Sequence, residues 1–423
     1  MDSLSPFDNT QPDDVAQAGS TSIVINPAPD DSHQLDSVEP LGHGPKLEWM
    51  DWSIRLALVG LVAVTLSSQL LTRTSGNEGI LTLAILTGLT GLYLLGSIEP
   101  VARRLYAVAQ TDPIGMAFPP LLLLIPYIVL GRGTPGFDIA SVLLCLVLVF
   151  LPVGLALTNT SHLRLSDIPV GLVAVAAPLV SPILRDQAIT SADGVLRTGA
   201  FALPVLLLVF STRAQKERMN FAFLCAVLAL WYSVEFKAFP NLNLPGQSGD
   251  APYFQLVVIC AFLYVLVVAG RFGALGLSFK PSTRGLSIVT SNLALFALIA
   301  VPIGLATGFI KPALASAGLI ENLARGFGIY LTIALPEEIL FRGVLLSYLA
   351  ATLRWPPIPT IVLSALVFGA SHLNNPPGVG WYFILATIAG VFYARTYLAT
   401  KNATAAAAVH TMVDWLWAVV FSG

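Results

Sequence analysis

Apolar segments of helical length dominate the chain from Trp49 onward. At a rise of 1.5 Å per residue, about 20 apolar residues cross the ~30 Å hydrocarbon core of a bilayer. No alternating strand pattern accompanies them, which favours helices over a barrel. The sequence therefore predicts an all-α, polytopic transmembrane bundle of about 12–13 spans. The candidate spans are 53–72, 79–98, 114–131, 137–158, 168–184, 198–211, 219–235, 252–270, 288–309, 322–350, 357–374, 381–399 and 402–421, of which 168–184 and 198–211 are short enough to be re-entrant.

Composition supports this prediction and excludes other classes of protein. Hydrophobic residues make up 55% of the chain and charged residues 11%, against roughly 25% charged in an average soluble protein. The formal net charge of −2 indicates no electrostatic attraction to nucleic acid. The lipid bilayer is thus the first partner that the sequence predicts, and nucleic acid is not one.

Three regions can be distinguished along the chain. Residues 1–48 are rich in Asp, Ser, Gln and Pro and lack apolar periodicity, which predicts a disordered acidic tail. They show no basic segment followed by an apolar one, so a secretory signal peptide is not expected. A polar loop at 271–287 then divides an N-terminal transmembrane region of unknown role, 49–285, from a C-terminal domain, 286–423.

The basic residues predict the orientation of the chain. Thirteen Lys and Arg residues fall in or near the loops on the side of the N-terminus, and seven fall in or near the opposite loops. Cytoplasmic loops carry an excess of Lys and Arg. We therefore expect a multi-pass integral membrane protein with a cytoplasmic N-terminus, and we favour a bacterial plasma membrane over an internal eukaryotic one.

Ionisable residues inside the predicted spans cluster in the C-terminal domain. A charge at the centre of a bilayer costs about 2.5–3.5 kcal/mol on insertion scales, so four of them cost on the order of 10–14 kcal/mol unless they are paired or hydrated. Folding alone does not require such groups, and they indicate a functional site. The residues are Glu337, Glu338, Arg342, His372, His410 and Asp414.

The first group of these residues lies in the segment ALPEEILFRG. Glu338 and Arg342 are four residues apart and can pair on one helix face. Glu337 lies about 100° around the helix, which leaves this carboxylate free to act as a base. Pro336 either starts a helix here or kinks a longer one. The alternative is a Glu–Arg pair that only locks two helices together.

Two further groups follow on later helices. Phe368 and His372 are four residues apart, as are His410 and Asp414. An Asp beside a His can fix its tautomer and orientation, and the pair can hold a proton or stabilise an oxyanion. His372 taken alone is equally compatible with a packing role.

These three motifs, in this order, resemble those of the CAAX prenyl protease and bacteriocin-processing family, also called the Abi family. The resemblance covers residues 337–414, and the helical core of the family extends over about 288–421. The third motif commonly ends in Asn in the eukaryotic branch, whereas this chain has Asp414. The resemblance implies an intramembrane endopeptidase that hydrolyses a peptide bond of a membrane-associated protein or peptide.

The resemblance also implies roles for the motif residues. Glu337, together with His372, would hold and deprotonate a water molecule. His410 and Asp414 would stabilise the oxyanion across the site. The ion pair of Glu338 and Arg342 would orient the site, and Phe368 belongs to the same orienting group. No cofactor, metal ion or covalent intermediate is implied.

Several alternatives stay open at this point. The His and carboxylate residues could in principle bind Zn²⁺, although no HExxH motif is present. A serine mechanism is disfavoured because Ser371 and His372 are consecutive and should diverge by about 100° on a helix. A proton-coupled transporter, or a non-catalytic scaffold or immunity protein of the same family, remains an alternative function. The substrate, and whether it must be prenylated, is not determined by these residues.

Overall fold

The computed structural model describes residues 45–73, 77–111, 276–314, 317–352, 354–372 and 379–422. The six spans predicted between residues 114 and 270, and most of the predicted tail, lie outside these ranges. The described part of the chain is almost entirely helical, which confirms the all-α prediction. Its α-helices are α1 (Pro45–Arg73), α2 (Asn77–Gly96), α3 (Glu99–Thr111), α4 (Thr283–Ala306), α5 (Leu319–Ile329), α6 (Leu335–Glu338), α7 (Pro357–Ser371), α8 (Val379–Thr400) and α9 (Ala403–Val420).

Three of these helices, α4, α8 and α9, are long and apolar enough to cross a membrane. A fourth candidate is the pair Leu83–Gly96 and Pro100–Val108, which meets at a bend of 91°. Helix α7 is shorter than its predicted span, 357–374, because His372 leaves the helical backbone conformation and caps the helix. The described residues thus contain an integral membrane bundle, as the apolar segments predicted.

The helical backbone from Leu319 to Thr352 is continuous but changes its hydrogen-bonding pattern. Wider π-helical turns occupy Tyr330–Ala334, Ile339–Leu346 and Tyr348–Thr352. Helix α5 precedes the first of these segments, and α6 lies between the first and the second. Pro336 lies inside this run, so it interrupts a longer helix and does not begin a separate one. Proline lacks an N–H donor and crowds the preceding turn, and π-turns often occur at functional sites.

Close helix packing builds the frame around this irregular helix. Helix α7 packs along α8, while α4 packs on α8 and α9, and α6 packs on α9. Gly390 of α8 allows a close approach, because a Cβ atom there would lie 3.0 Å from Ala365 Cα and 3.2 Å from Phe368 Cδ1. Phe296 and Phe392 meet edge to face between α4 and α8. Small residues at such contacts let helix backbones approach closely in membranes.

Helix α9 is fastened at its C-terminal end. The two-residue strand β2 (Phe421–Ser422) follows α9 directly and pairs antiparallel with β1 (Lys311–Pro312), which follows α4. Trp415 Nε1 donates to the Asn322 carbonyl over 2.7 Å and so ties α9 to α5. These contacts hold the helix that carries the third motif against the helix that carries the first.

Candidate active site

The irregular helix carries three charged side chains into the interior of the bundle. Glu338 and Arg342 are fully buried, and Glu337 retains 6% of its accessible surface. The preceding Leu335 and Pro336 are buried too, so this face packs against neighbouring helices. Charged groups in such surroundings need partners, because removing an ion from water costs several kcal/mol.

Arg342 is the first partner. Its Nη1 donates to Glu338 Oε1 over 3.0 Å, which confirms the pair predicted from the four-residue spacing. Its Nη2 donates to the Gly390 carbonyl of α8, also over 3.0 Å. The guanidinium therefore joins the first motif to α8, and its planar fork satisfies two acceptors at once.

His410 of α9 connects the two glutamates. Its Nδ1 lies 3.0 Å from Glu338 Oε1, and its Nε2 lies 3.8 Å from Glu337 Oε2. A carboxylate oxygen can only accept, so Nδ1 carries a proton. Glu338 thereby sets both the tautomer and the ring orientation of His410. The four-residue spacing assigns this orienting role to Asp414, and the contact with Glu338 could not be predicted from helix spacing.

Asp414 approaches His410 from the other edge of the ring. Its Oδ2 lies 3.4 Å from His410 Nε2, and its side chain keeps 32% of its accessible surface. The predicted placement of the two residues on one helix face is confirmed. Asp414 is more exposed than Glu337, Glu338, Arg342 and His410, which are buried. This group of side chains is therefore accessible on the side of Asp414.

An aromatic frame, of which the sequence indicated only Phe368, surrounds these polar groups. The Tyr393 ring stacks on His410 at 4.5 Å between centroids and 17° between planes. The Arg342 guanidinium lies 4.6 Å from the Phe368 ring centroid and 5.2 Å from that of Tyr393. Cation–π contacts of this kind strengthen when they are shielded from water. Tyr393 and Gly390 are uncharged, so the pattern of charged residues inside the spans does not include them. Their one sequence signal is the spacing, since Gly390 lies one helical turn before Tyr393.

The ring of Phe368 contacts both His372 and His410. The Phe368 ring centroid is 4.8 Å from that of His372 and 5.5 Å from that of His410. The His372 Nδ1 atom lies 3.1 Å from the Phe368 carbonyl, which can only accept, so this nitrogen carries a proton. The Nε2 atom of a neutral His372 is then an acceptor.

Ser371 does not diverge from His372 as the helix geometry predicted. Its Oγ lies 3.0 Å from His372 Nδ1, because His372 is the cap residue at which the helical backbone ends. The Ser371 hydroxyl donates to the Phe368 carbonyl over 2.6 Å, and the residue is buried. A hydroxyl engaged in this way is poorly placed to act as a nucleophile.

The arrangement does not supply an evident metal site. Within the ranges described, no group of three or more His, Cys, Asp or Glu side chains is arranged to hold a metal ion. Glu338 Oε1 and His410 Nδ1 are engaged with each other, and the same oxygen also accepts from Arg342.

Fold and site together define a helical integral membrane protein with a buried cluster of acidic, basic and imidazole groups. Residues 319–416 match the family model described as Rce1-like, type II CAAX prenyl endopeptidase. All three motifs lie inside that range, and the match confirms the resemblance to CAAX proteases, a family of hydrolases. Residues 319–416 therefore resemble an Rce1-like domain. No curated protein and no solved structure is significantly similar to the chain.

Proposed function

We propose that the Rce1-like domain is an intramembrane endopeptidase in which Glu337 activates water and His410 stabilises the oxyanion. The observation that carries the proposal is the position of His410, with Nδ1 held by Glu338 and Nε2 directed to Glu337 and Asp414. An imidazole held at one nitrogen presents the other nitrogen to the reacting groups in a fixed orientation.

Glu337 is the proposed general base. Its carboxylate is nearly buried and lies 3.8 Å from His410 Nε2, whereas Arg342 is paired with the neighbouring Glu338. A carboxylate placed beside this imidazole can accept a proton from water. His372 would accept the second water hydrogen bond through Nε2, because its Nδ1 is turned to the backbone carbonyl of Phe368.

His410 and Asp414 are the proposed stabilisers of the oxyanion. With Nδ1 donating to Glu338, His410 donates from Nε2 only in its doubly protonated form. Asp414 lies 3.4 Å from that nitrogen and favours this form by its negative charge. Donors fixed before the reaction stabilise developing negative charge without reorganisation.

Glu338, Arg342, Phe368 and Tyr393 position these groups. Glu338 holds His410, Arg342 holds Glu338, and the two rings enclose the guanidinium. Such a connected network limits the movement of each member.

The proposed reaction is a hydrolysis in two steps. Glu337 takes a proton from water as the water oxygen bonds to the scissile carbonyl carbon, and the carbonyl oxygen becomes an oxyanion beside His410 Nε2. The C–N bond then breaks as the oxyanion reforms a carbonyl, and Glu337 returns its proton to the leaving nitrogen. The products are a carboxylic acid and an amine, so atoms and charges balance without a further reactant.

The proposed substrate is a membrane-associated protein or peptide of the CAAX type. This part of the proposal rests on the family match, since the described residues contain no feature that selects a lipid group. Cleavage of matched synthetic peptides, with and without a prenyl group near the C-terminus, tests it directly. Equal rates for both peptides would contradict the CAAX-type assignment.

The decisive experiment compares membranes from cells that carry the wild type, Glu337→Gln or Glu321→Gln, by mass spectrometry of protein termini. Glu321 is an exposed glutamate in the first turn of α5 and receives the same chemical change in the same domain. We expect termini that occur with the wild type and Glu321→Gln and are absent with Glu337→Gln. Identical termini in all three, at equal protein abundance, would favour a non-catalytic scaffold or immunity protein, or a transporter.

A further inference from the structure

We propose that the N-terminal helix α1 positions the His410-bearing helix α9 through the segment 276–280, which we name the strap. Asp51, Arg55 and Thr404 are then positioning residues of the active site. The inference rests on the proposed function, because it concerns the orientation of His410. It gives the N-terminal region a task within the site, although the predicted domain boundary separates the strap from the C-terminal domain.

The first observation is a buried ion pair on α1. Arg55 retains 1% of its surface, and its Nε donates to Asp51 Oδ2 over 2.8 Å. Nη1 of Arg55 also donates to Ser97 Oγ and to the Leu94 carbonyl at the end of α2. The pair therefore also joins α1 to α2, and its cost of burial is offset by several hydrogen bonds.

The second observation is that this ion pair forms hydrogen bonds with the backbone along one edge of the strap. Arg55 Nη2 donates to the Leu277 carbonyl over 3.1 Å, and Asp51 Oδ1 accepts from the Phe279 N–H over 2.6 Å. The Arg55 guanidinium also lies 4.7 Å from the Phe279 ring centroid. Backbone groups of alternate strap residues thus face α1.

The third observation is that the opposite edge of the strap holds the start of α9. The Gly276 carbonyl accepts from the Ala403 N–H over 2.8 Å. The Ser278 carbonyl accepts from Asn402 Nδ2 over 2.7 Å and from the Thr404 hydroxyl. Asn402 is the N-cap of α9 and accepts from the Thr404 N–H. The strap is therefore part of the cap of the helix that bears the third motif.

The fit between strap and α9 is close. Gly276 has a φ of +59°, and a Cβ atom there would lie 2.6 Å from the Lys401 carbonyl oxygen. Only glycine adopts this backbone at so short a distance without displacement. A shift of α1 would thus move the strap and the first turn of α9. His410 lies eight residues after Asn402, or about 12 Å along the helix axis.

The test uses the full chain in detergent micelles, with Asp51→Ala, Asp51→Asn, Thr404→Val and the control Thr90→Val. Thr404→Val removes the hydroxyl that donates to the Ser278 carbonyl of the strap and leaves the Asp51–Arg55 ion pair intact. The inference can therefore be tested with this variant even if Asp51→Ala folds poorly. Thr90 is buried in α2 and donates only to the Leu86 carbonyl of its own helix among the described contacts. Hydrogen exchange of the peptide covering 403–410 and the steady-state constants for a cleaved peptide are measured for each folded variant.

We expect faster exchange at 403–410 in Asp51→Ala and Thr404→Val, a smaller effect in Asp51→Asn, and wild-type exchange in Thr90→Val. We expect kcat to fall by about 10- to 100-fold in the first two, with KM within about twofold, since a small misplacement of a reacting group has this effect. Unchanged exchange at 403–410, equal acceleration in all variants, or faster exchange with unchanged kcat would overturn the inference. A wild type that cleaves nothing would contradict the proposed function, while the exchange data would still decide whether α1 holds α9.

Discussion

His410 Nδ1 lies 3.0 Å from Glu338 Oε1, although the two residues are 72 positions apart in the chain. The same carboxylate oxygen accepts from Arg342 Nη1, also at 3.0 Å. Glu338 Oε1 thus contacts a guanidinium and an imidazole at once. It thereby links the first motif to the third in one hydrogen-bonded unit. Glu338 is fully buried and paired with an arginine, and it also contacts a histidine on another helix.

Arg342→Lys should weaken this unit, because a single ammonium cannot reproduce the planar fork that reaches both Glu338 and the Gly390 carbonyl. We expect the free energy of unfolding to fall by about 1–3 kcal/mol, as when a buried acceptor loses its donor. Cleavage should fall by at least about tenfold. Thermal unfolding in micelles and a peptide cleavage assay measure the two effects. Arg284→Lys, at an exposed position at the start of α4, is the control and should match the wild type.

Tyr393 should act through its ring. Tyr393→Phe keeps the stacked contact with His410 and the contact with the Arg342 guanidinium, so we expect activity within about threefold of the wild type. Tyr393→Leu removes the stacked face and should lower kcat by about tenfold or more. Steady-state cleavage by both variants, at equal amounts of folded protein, provides the comparison. Equal activity of the two variants would show that the stacked ring does not orient His410.

Gly390→Ala should separate α7 from α8. The added Cβ would meet Ala365 Cα at 3.0 Å and Phe368 Cδ1 at 3.2 Å, and the backbone atom cannot rotate away. Overpacking of this kind costs about 1–3 kcal/mol of stability. Gly380→Ala on the same helix is the matched control, since its Cβ would meet nothing within 4 Å. Denaturation curves of the two variants in the same detergent test the prediction, and equal midpoints would contradict it.

Ser371→Ala should retain cleavage within about threefold, because the serine hydroxyl is buried and donates to the Phe368 carbonyl. His372→Ala should lose at least about a hundredfold, since the proposed site uses this imidazole to hold water. Peptide cleavage and labelling with a serine-directed fluorophosphonate are measured on the wild type and on both variants. Loss of activity in Ser371→Ala together with labelling of the wild type would replace the glutamate mechanism by a serine mechanism.

Helix periodicity alone predicts some of the contacts in the site. Glu338 and Arg342, and likewise His410 and Asp414, are neighbours because residues four apart lie on one face of a helix. The same rule fails at Ser371 and His372, where the helix ends and the backbone turns. Local spacing predicts contacts only as far as the regular helix extends.

The apolar spans and the charged residues within them were sufficient, by themselves, to determine the helical membrane fold and to indicate the region of the site, since hydrocarbon excludes unpaired charge. Only the tertiary structure decided that Glu338 and not Asp414 holds His410 Nδ1, that Tyr393 and Gly390 complete the site, and that the strap joins α1 to α9. The physical reason is that these contacts join different helices. Which helices meet, and at what height, depends on the packing of all the side chains between them and not on the period of any one helix.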